Sequence, residues 1–252
     1  MDKKLFGLIG FPLEHSFSSR YFTEKFEKEK LTGYEYRNFP IENIGKLPGL
    51  MQEHPDLAGL NVTIPYKESI LQYLDHLDEV ASGIGAVNTI RIQRDHNGYK
   101  LYGYNTDSYG FYHSLVPHLK KRHQSAIIIG TGGASKAVAF VLDQLGIDYM
   151  FVSRNPREKN HISYFDLCGP ILNNYQIIIN TSPVGMYPND KDKPDIPYEF
   201  VTSGHILYDL IYNPPLTNFL KTGKKKKATV INGLEMLHLQ AEKSWKIWNE
   251  KA

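Results

Sequence analysis

The stretch from Ala126 to Phe140, AIIIGTGGASKAVAF, constrains the fold more than any other part of the chain. Ile127, Ile128 and Ile129 read as a strand buried on both faces. Gly130, Gly132 and Gly133 follow at once, and Ala134, Ala137, Val138, Phe140 and Val141 then recur at helical spacing. Strand, glycine turn and helix start form the context in which a glycine fingerprint signals a dinucleotide. Glycines let the backbone approach a pyrophosphate, and the N–H groups and dipole of the helix N-terminus attract its charge. GTGGAS lacks the third glycine of G-x-G-x-x-G, so Ala137 or Ala139 would be the small residue that packs helix on strand. The same letters also fit a tight strand-to-helix turn with no ligand.

The chain's 252 residues make one large or two modest domains. A formal net charge of +2, from 29 basic and 27 acidic residues, gives no global case for nucleic acid. The lone cysteine, Cys168, has no internal disulfide partner, which fits a reducing cytoplasm. Lys3-Lys4 followed by Leu5 to Phe11 mimics a short signal peptide, but Pro12, Glu14 and His15 come next and no small-residue cleavage site does. No apolar run approaches a membrane span. No metal site is expected: H-E-x-x-H and paired cysteines are absent, and His113, His118 and His123 lie five apart, which spreads them around a helix.

In chain order, Leu5 to Gly10 reads as a buried strand, broken by Gly10-Phe11-Pro12. Tyr21, Phe22, Phe26 and Leu31 predict an amphipathic helix with Ser18 or Ser19 near its N-cap. Strands follow at Tyr34 to Phe39 and Leu57 to Val62, with a short helix from Ile44 to Met51 between them. Val87 to Gln93 and Tyr99 to Tyr104 alternate around Asn97-Gly98 as a hairpin. Thr106 or Asp107 would cap a helix from about Ser108 to Lys121, with Pro117 disturbing its last turn. Beyond the glycine turn, strands are expected at Tyr149 to Val152, Gln176 to Asn180, Ile206 to Ile211 and Ala228 to Ile231. Lys224 to Lys227 reads as a solvated helix end. From Gly233 on, Leu234, Leu237, Ala241, Trp245 and Trp248 mark a long amphipathic helix.

The strand ending at Val152 leads into Ser153-Arg154-Asn155, about twenty residues past the glycines, where an NAD-binding chain offers an acid to the ribose diol. Here that position is basic, with Arg157 and Lys159 nearby. An arginine there suits a 2′-phosphate and favours NADP over NAD; taken alone it also fits a solvated basic turn. A nicotinamide cofactor moves a hydride, and reducing a ketone creates an alkoxide that needs a cation and a proton donor. Lys67 and Asp107 leave strand ends and are candidates; taken alone, Lys67 reads first as a surface charge and Asp107 as a helix cap. Ser16, Ser18, Thr63, Asn88, Asn105 and Tyr212 cluster at other strand ends, a set that suits a small hydroxylated ligand.

The motifs, taken in order, resemble the shikimate dehydrogenase family. Gly10-Phe11-Pro12-Leu13-Glu14-His15-Ser16-Phe17-Ser18 is similar to its G-x-P-x-x-H-S-x-S. Asn61-Val62-Thr63-Ile64-Pro65-Tyr66-Lys67, Gly85-Ala86-Val87-Asn88-Thr89 and Gly103-Tyr104-Asn105-Thr106-Asp107 follow. After the glycine turn come Asn180-Thr181-Ser182-Pro183-Val184-Gly185-Met186, Asp209-Leu210-Ile211-Tyr212-Asn213-Pro214 and Asn232-Gly233-Leu234-Glu235-Met236-Leu237. The resemblance covers nearly the whole chain. It implies NADP-dependent, reversible reduction of 3-dehydroshikimate to shikimate, a step towards chorismate and the aromatic amino acids.

With the residue patterns, the resemblance predicts two α/β domains. Residues 1–107, joined by the C-terminal helix 233–252, would form a mixed-sheet substrate and catalytic domain; residues 108–232 would form a Rossmann-like NADP-binding domain. It implies Lys67 and Asp107 as the catalytic pair. Ser16, Ser18 and Thr63 would face the substrate carboxylate; Asn88, Asp107 and Gln240 would hold ring hydroxyls, and Tyr212 would line the pocket. Gly130, Thr131, Gly132, Gly133 and Ala134 would hold the pyrophosphate, Ser153 and Arg154 the 2′-phosphate end, with Leu210 and Gly233 near the nicotinamide. Three positions depart from the family pattern: Ser19 replaces a proline, Ser153-Arg154-Asn155 replaces Asn-Arg-Thr, and Glu235 replaces a glycine. A related dehydrogenase using quinate or NAD, and a non-catalytic dinucleotide-sensing module, are the rival readings.

Overall fold

A computed structural model describes residues 3–13, 17–96 and 98–250. The chain divides into two compact units, Met1–Thr106 with Ala241–Ala252, and Asp107–Gln240. Each is an α/β unit built on its own six-stranded sheet.

The first unit contains β1 (Lys4–Gly10), α1 (Phe17–Lys28), β2 (Tyr34–Pro40), α2 (Leu47–Glu53) and β3 (Leu57–Val62). It continues through β4 (His76–Leu77), α3 (Glu79–Ile84), β5 (Thr89–Asp95) and β6 (Gly98–Tyr104). The strand order is β2-β1-β3-β5-β6-β4. β1 pairs in parallel with β2 and β3, whereas β5 is antiparallel to both β3 and β6, so the sheet is mixed. Both faces of β1 are covered. Leu5 and Ile9 join one apolar layer with Leu47, Met51 and Leu60, while Phe6 and Leu8 join the opposite layer with Phe22, Phe26, Ala241 and Trp248. Phe6 stacks on Trp248 at 4.9 Å between ring centres. Gly59 is required beside that indole, because a Cβ there would collide with Trp248 Nε1.

The second unit begins in α4 (Thr106–Leu115) and runs through β7 (Ser125–Ile129), α5 (Gly133–Gln144), β8 (Asp148–Val152) and β9 (His161–Ile162). α6 (Gly169–Asn174), β10 (Ile177–Asn180), β11 (Ile206–Asp209), α7 (Asn218–Lys225), β12 (Thr229–Ile231) and α8 (Leu234–Asn249) follow, α8 belonging to the first unit from Ala241 on. All six strands pair in parallel, in the order β12-β11-β10-β7-β8-β9. The isoleucine runs are buried on both faces, as read from the sequence. Ile128 and Ile179 enter one layer, and Ile127, Ile129 and Ile178 the other. This is the doubly wound arrangement in which ligands bind outside the carboxyl ends of strands.

Several boundaries differ from the sequence expectation. α1 begins at Phe17, so Ser18 and Ser19 sit inside its first turn rather than capping it. α4 begins at Thr106, two residues early, and gives way to a 3₁₀ turn at Val116–His118, where Pro117 stops the α-helical ladder. The cap of α4 comes from outside the helix: the Thr106 amide donates to Asn88 Oδ1 at 2.7 Å. β4 and β9, two residues each, carry too few letters to show a period. Lys224 to Lys227 is exposed at the C-terminal end of α7, where cations oppose the negative end of the helix dipole.

Candidate active site

In the first unit the polar residues gather at the ends of β1, β3 and β5. Thr63 leaves β3 half-buried; its amide donates to Ile9 O at 2.9 Å and its carbonyl accepts the Tyr66 amide at 2.9 Å. Gly10 lies so close to Thr63 that a Cβ there would strike the threonine methyl. Buried Tyr66 anchors the turn by donating its hydroxyl to Ile41 O at 2.5 Å. Lys67 follows, half-buried, with its carbonyl accepting the Val87 amide at 2.8 Å. That bond fixes Lys67 beside the segment that carries Asn88.

Asn88 is 3 % exposed and engages Thr106 through both ends of its amide: Oδ1 accepts the Thr106 amide, and Nδ2 donates to Thr106 Oγ1 at 3.0 Å. A buried polar network continues from there. Ser244 Oγ, on α8, lies 3.2 Å from Thr106 Oγ1, 2.7 Å from Thr89 Oγ1 and 3.1 Å from Asn61 Nδ2, which donates to it. Asn61 Oδ1 accepts the Tyr36 hydroxyl at 2.8 Å, and Ser18 hydrogen-bonds to that same tyrosine. Burial holds the Tyr36 phenol well above its ordinary pKa, so it stays a donor. One chain of hydrogen bonds therefore runs from Ser18 to Asn88. Ser16 lies outside the described residues.

Asp107, Tyr212 and Gln240 belong to the second unit. Asp107 is 8 % exposed in the first turn of α4, where the helix dipole favours a carboxylate. Gln240 is buried on α8 and donates to Leu237 O at 2.9 Å. Gly110 lets α4 approach α8, since its Cβ would sit 2.5 Å from Met236 O and 3.3 Å from Gln240 Cβ. Tyr212 is half-buried in the turn after β11.

At the glycine turn, Gly130 has φ +104°, a conformation that disfavours any side chain, and its Cβ would press on Thr181 Oγ1 at 3.0 Å. Gly132 is the N-cap of α5 and supplies no side-chain cap; a Cβ there would meet open space. Thr131 and Gly132 are exposed, and Gly133 and Ala134 half-exposed, so the helix N-terminus presents backbone to a ligand. These features fit a pyrophosphate. Ala137 and Ala139, the two candidates for the small residue that packs helix on strand, are both buried. Beside the turn is a cavity of about 410 Å³ lined by Thr131, Ser153, Arg154, Asn155, Arg157, Glu158 and His161.

On the other flank of β7, Leu210 and Gly233 are locked together. The Gly233 amide donates to Ile211 O at 3.1 Å, and a Cβ at Gly233 would overlap the Leu210 carbonyl. Asp209, fully buried at the end of β11, organises this region. Its Oδ1 accepts Asn180 Nδ2 at 3.0 Å and the Ile211 amide at 3.1 Å, and its Oδ2 accepts the Thr217 hydroxyl at 2.6 Å. Burial pushes its carboxyl up to about 6, against three hydrogen bonds that favour the charged form. Glu235 stands exposed in the first turn of α8.

The sequence reading assigned no role to Asn61, Thr89, Ser244, Asp209 or His161. A signal existed for some: Asp209 and Asn180 each end an apolar strand, and they pair in register. Ser244 occupies the apolar stripe of α8 between Ala241 and Trp248, where a polar residue needs a buried partner. Among the described residues, no three His, Cys, Asp or Glu side chains are grouped to hold a metal ion, and no helix is long and apolar enough to cross a membrane.

Residues 8–90 match the shikimate dehydrogenase substrate binding domain. A shikimate dehydrogenase (NADP(+)) from Clostridium beijerinckii is 40 % identical over 256 residues, covering 98 % of this chain and 92 % of that protein. The crystal structure of shikimate dehydrogenase 1 from Peptoclostridium difficile superposes with a TM-score of 0.82 at 38 % identity, covering 99 % of this chain and 92 % of the other. That of shikimate 5-dehydrogenase from Thermus thermophilus, in complex with NADP(H) and shikimate, gives 0.83 at 29 % identity, covering 98 % and 93 %. At 40 % identity across 98 % of its length to a shikimate dehydrogenase, this chain belongs to the shikimate dehydrogenase family.

Proposed function

We propose that this chain catalyses the NADP-linked, reversible reduction of 3-dehydroshikimate to shikimate. The observation that carries the reading is the 40 % identity to an NADP-linked shikimate dehydrogenase across 98 % of the chain. The first unit would carry most of the substrate-binding residues, and the second the dinucleotide site and the remaining ones, Asp107, Tyr212 and Gln240. The open Gly132 position and uncapped α5 N-terminus fit a pyrophosphate, and the arginine-lined cavity fits a 2′-phosphorylated ribose. When bound, NADPH supplies the hydride.

The chain's own groups would then do the following. Ser16, Ser18 and Thr63 would hold the substrate carboxylate. Asn88, Asp107 and Gln240 would hold ring hydroxyls, with Tyr212 closing one wall. Lys67 would meet the ketone oxygen and pass it a proton as negative charge grows there, which is where a fixed cation contributes most. Asp107 would orient the Lys67 ammonium. The Asn88–Thr106 bonds support this assignment, since an amide held at both ends keeps a fixed orientation. Leu210 and Gly233 would flank the nicotinamide. The single cysteine, exposed and unpaired, fits a reducing cytoplasm.

The decisive experiment measures oxidation of shikimate and of quinate with NADP⁺ and with NAD⁺, followed at the nicotinamide absorbance. Shikimate with NADP⁺ is expected to give the highest kcat/KM. A higher value for quinate or for NAD⁺ would transfer the assignment to the corresponding relative, and cofactor binding without turnover would make the chain a sensing module.

A further inference from the structure

Among the groups lining the cavity beside the glycine turn that the family resemblance does not assign are His161 and Glu158. His161 is fixed. Its side chain is 9 % exposed, and its ring packs on Phe151 with centroids 4.9 Å apart. The backbone holds it from both sides: His161 pairs with Phe151 in the β8–β9 ladder, the Phe151 amide donates to Asn160 O at 2.9 Å, and the Ser153 amide donates to Ile162 O at 3.0 Å. The two-residue strand β9 thus sets His161 directly alongside the Ser153–Arg154 turn. Arg154 and Arg157, by contrast, are exposed and must give up rotamer freedom to hold an anion.

Glu158 is 73 % exposed, with Oε2 at 3.7 Å from His161 Nε2. That separation suits an ion pair but is too long for a hydrogen bond. The imidazole therefore keeps a donor to offer, and the carboxylate puts a negative charge into a cavity otherwise lined by two arginines and neutral polar groups.

We propose that His161 is a preorganised ligand of the dinucleotide's 2′-phosphate, and that Glu158 is an opposing charge that limits the preference for phosphorylated over unphosphorylated dinucleotide. This rests on the reading of the cavity as the 2′-phosphate site. His161 supplies an N–H to a phosphate oxygen at little further ordering cost, and Glu158 repels the same phosphate. Both effects act on the 2′-phosphate and not on the adenosine. They therefore change selectivity between ligands that differ only in that group.

The test is isothermal titration of adenosine 2′,5′-bisphosphate and of adenosine 5′-monophosphate into wild-type protein and into His161→Phe, Glu158→Gln and Arg154→Ala. Phenylalanine keeps the ring packing on Phe151 and removes the donor; Glu158 is exposed enough for its variant to fold. His161→Phe is expected to weaken the bisphosphate five- to tenfold, and Glu158→Gln to tighten it about threefold, with the monophosphate moving less than twofold in both. A bisphosphate-to-monophosphate affinity ratio unchanged in either variant, while Arg154→Ala lowers it, overturns the proposal and leaves the cavity's assignment standing. A ratio unchanged in Arg154→Ala as well overturns both.

Discussion

Asp209 Oδ2 accepts the Thr217 hydroxyl at 2.6 Å, and no part of Asp209 reaches solvent. The carboxyl is pushed up to about 6 by burial, so between about pH 4 and pH 6 the folded chain holds a proton that the unfolded chain has released. Its contribution is fully present below the unfolded pKa and is lost as pH rises through 6. Across that window this one group lowers stability by up to roughly 3 kcal/mol as pH rises. Asp209→Asn keeps an acceptor for Asn180 and Ile211 and can donate to Thr217, yet does not titrate. Urea unfolding at pH 4.5 and pH 7 is expected to show wild type losing stability relative to Asp209→Asn. Parallel pH dependences would refute the shift.

Lys67→Ala should lower kcat for shikimate oxidation by at least about a hundredfold, with a smaller effect on KM, because the lost interaction strengthens as charge develops on oxygen. The protein should fold normally, since the Lys67 bond to Val87 is made by its backbone carbonyl. Turnover near wild type would remove Lys67 from the mechanism.

Ser244→Ala deletes a hydroxyl within hydrogen-bonding distance of Asn61, Thr89 and Thr106. A cost of about 1–3 kcal/mol is expected from leaving buried donors short of a partner. With Thr106 loosened, Asn88 loses its fixed direction, so KM for shikimate should rise several-fold while KM for NADP⁺ stays put. Equal changes in both would mean that the network serves stability alone.

Two glycine substitutions should move stability in opposite directions. Gly233→Ala drives a methyl into the Leu210 carbonyl and should cost about 1–3 kcal/mol. Gly49 lies within α2 with nothing near its Cβ position, and alanine there should stabilise by about 0.5–1 kcal/mol. Thermal melts of both variants against wild type read the two signs directly.

The strands were legible because their letters carry the burial pattern. Ile127 to Ile129 and Ile177 to Ile179 are apolar at every position, and burial on two faces requires that. Lys67, Asp107 and Asn88 were legible as polar residues at strand ends, but their partners were not. Asn88 caps α4 from 18 residues away in sequence, and Ser244 meets Asn61 across 183. Such bonds depend on tertiary position, which no local pattern encodes. β9 was invisible for a related reason: two residues show no alternation, and only pairing with Phe151 and Val152 defines them.

The division of the chain also bears on how it is made. The first unit is completed by residues 241–252, which follow the whole of the second in sequence. Ribosomal synthesis proceeds from the N-terminus, and domains fold as units once their residues have emerged. The later half can therefore close while the earlier half still waits, with Gly59 facing no indole and Asn61, Thr89 and Thr106 lacking the serine that joins them. Ser18, Thr63 and Asn88, proposed to grip the substrate, are among the first residues translated and the last to be locked in place.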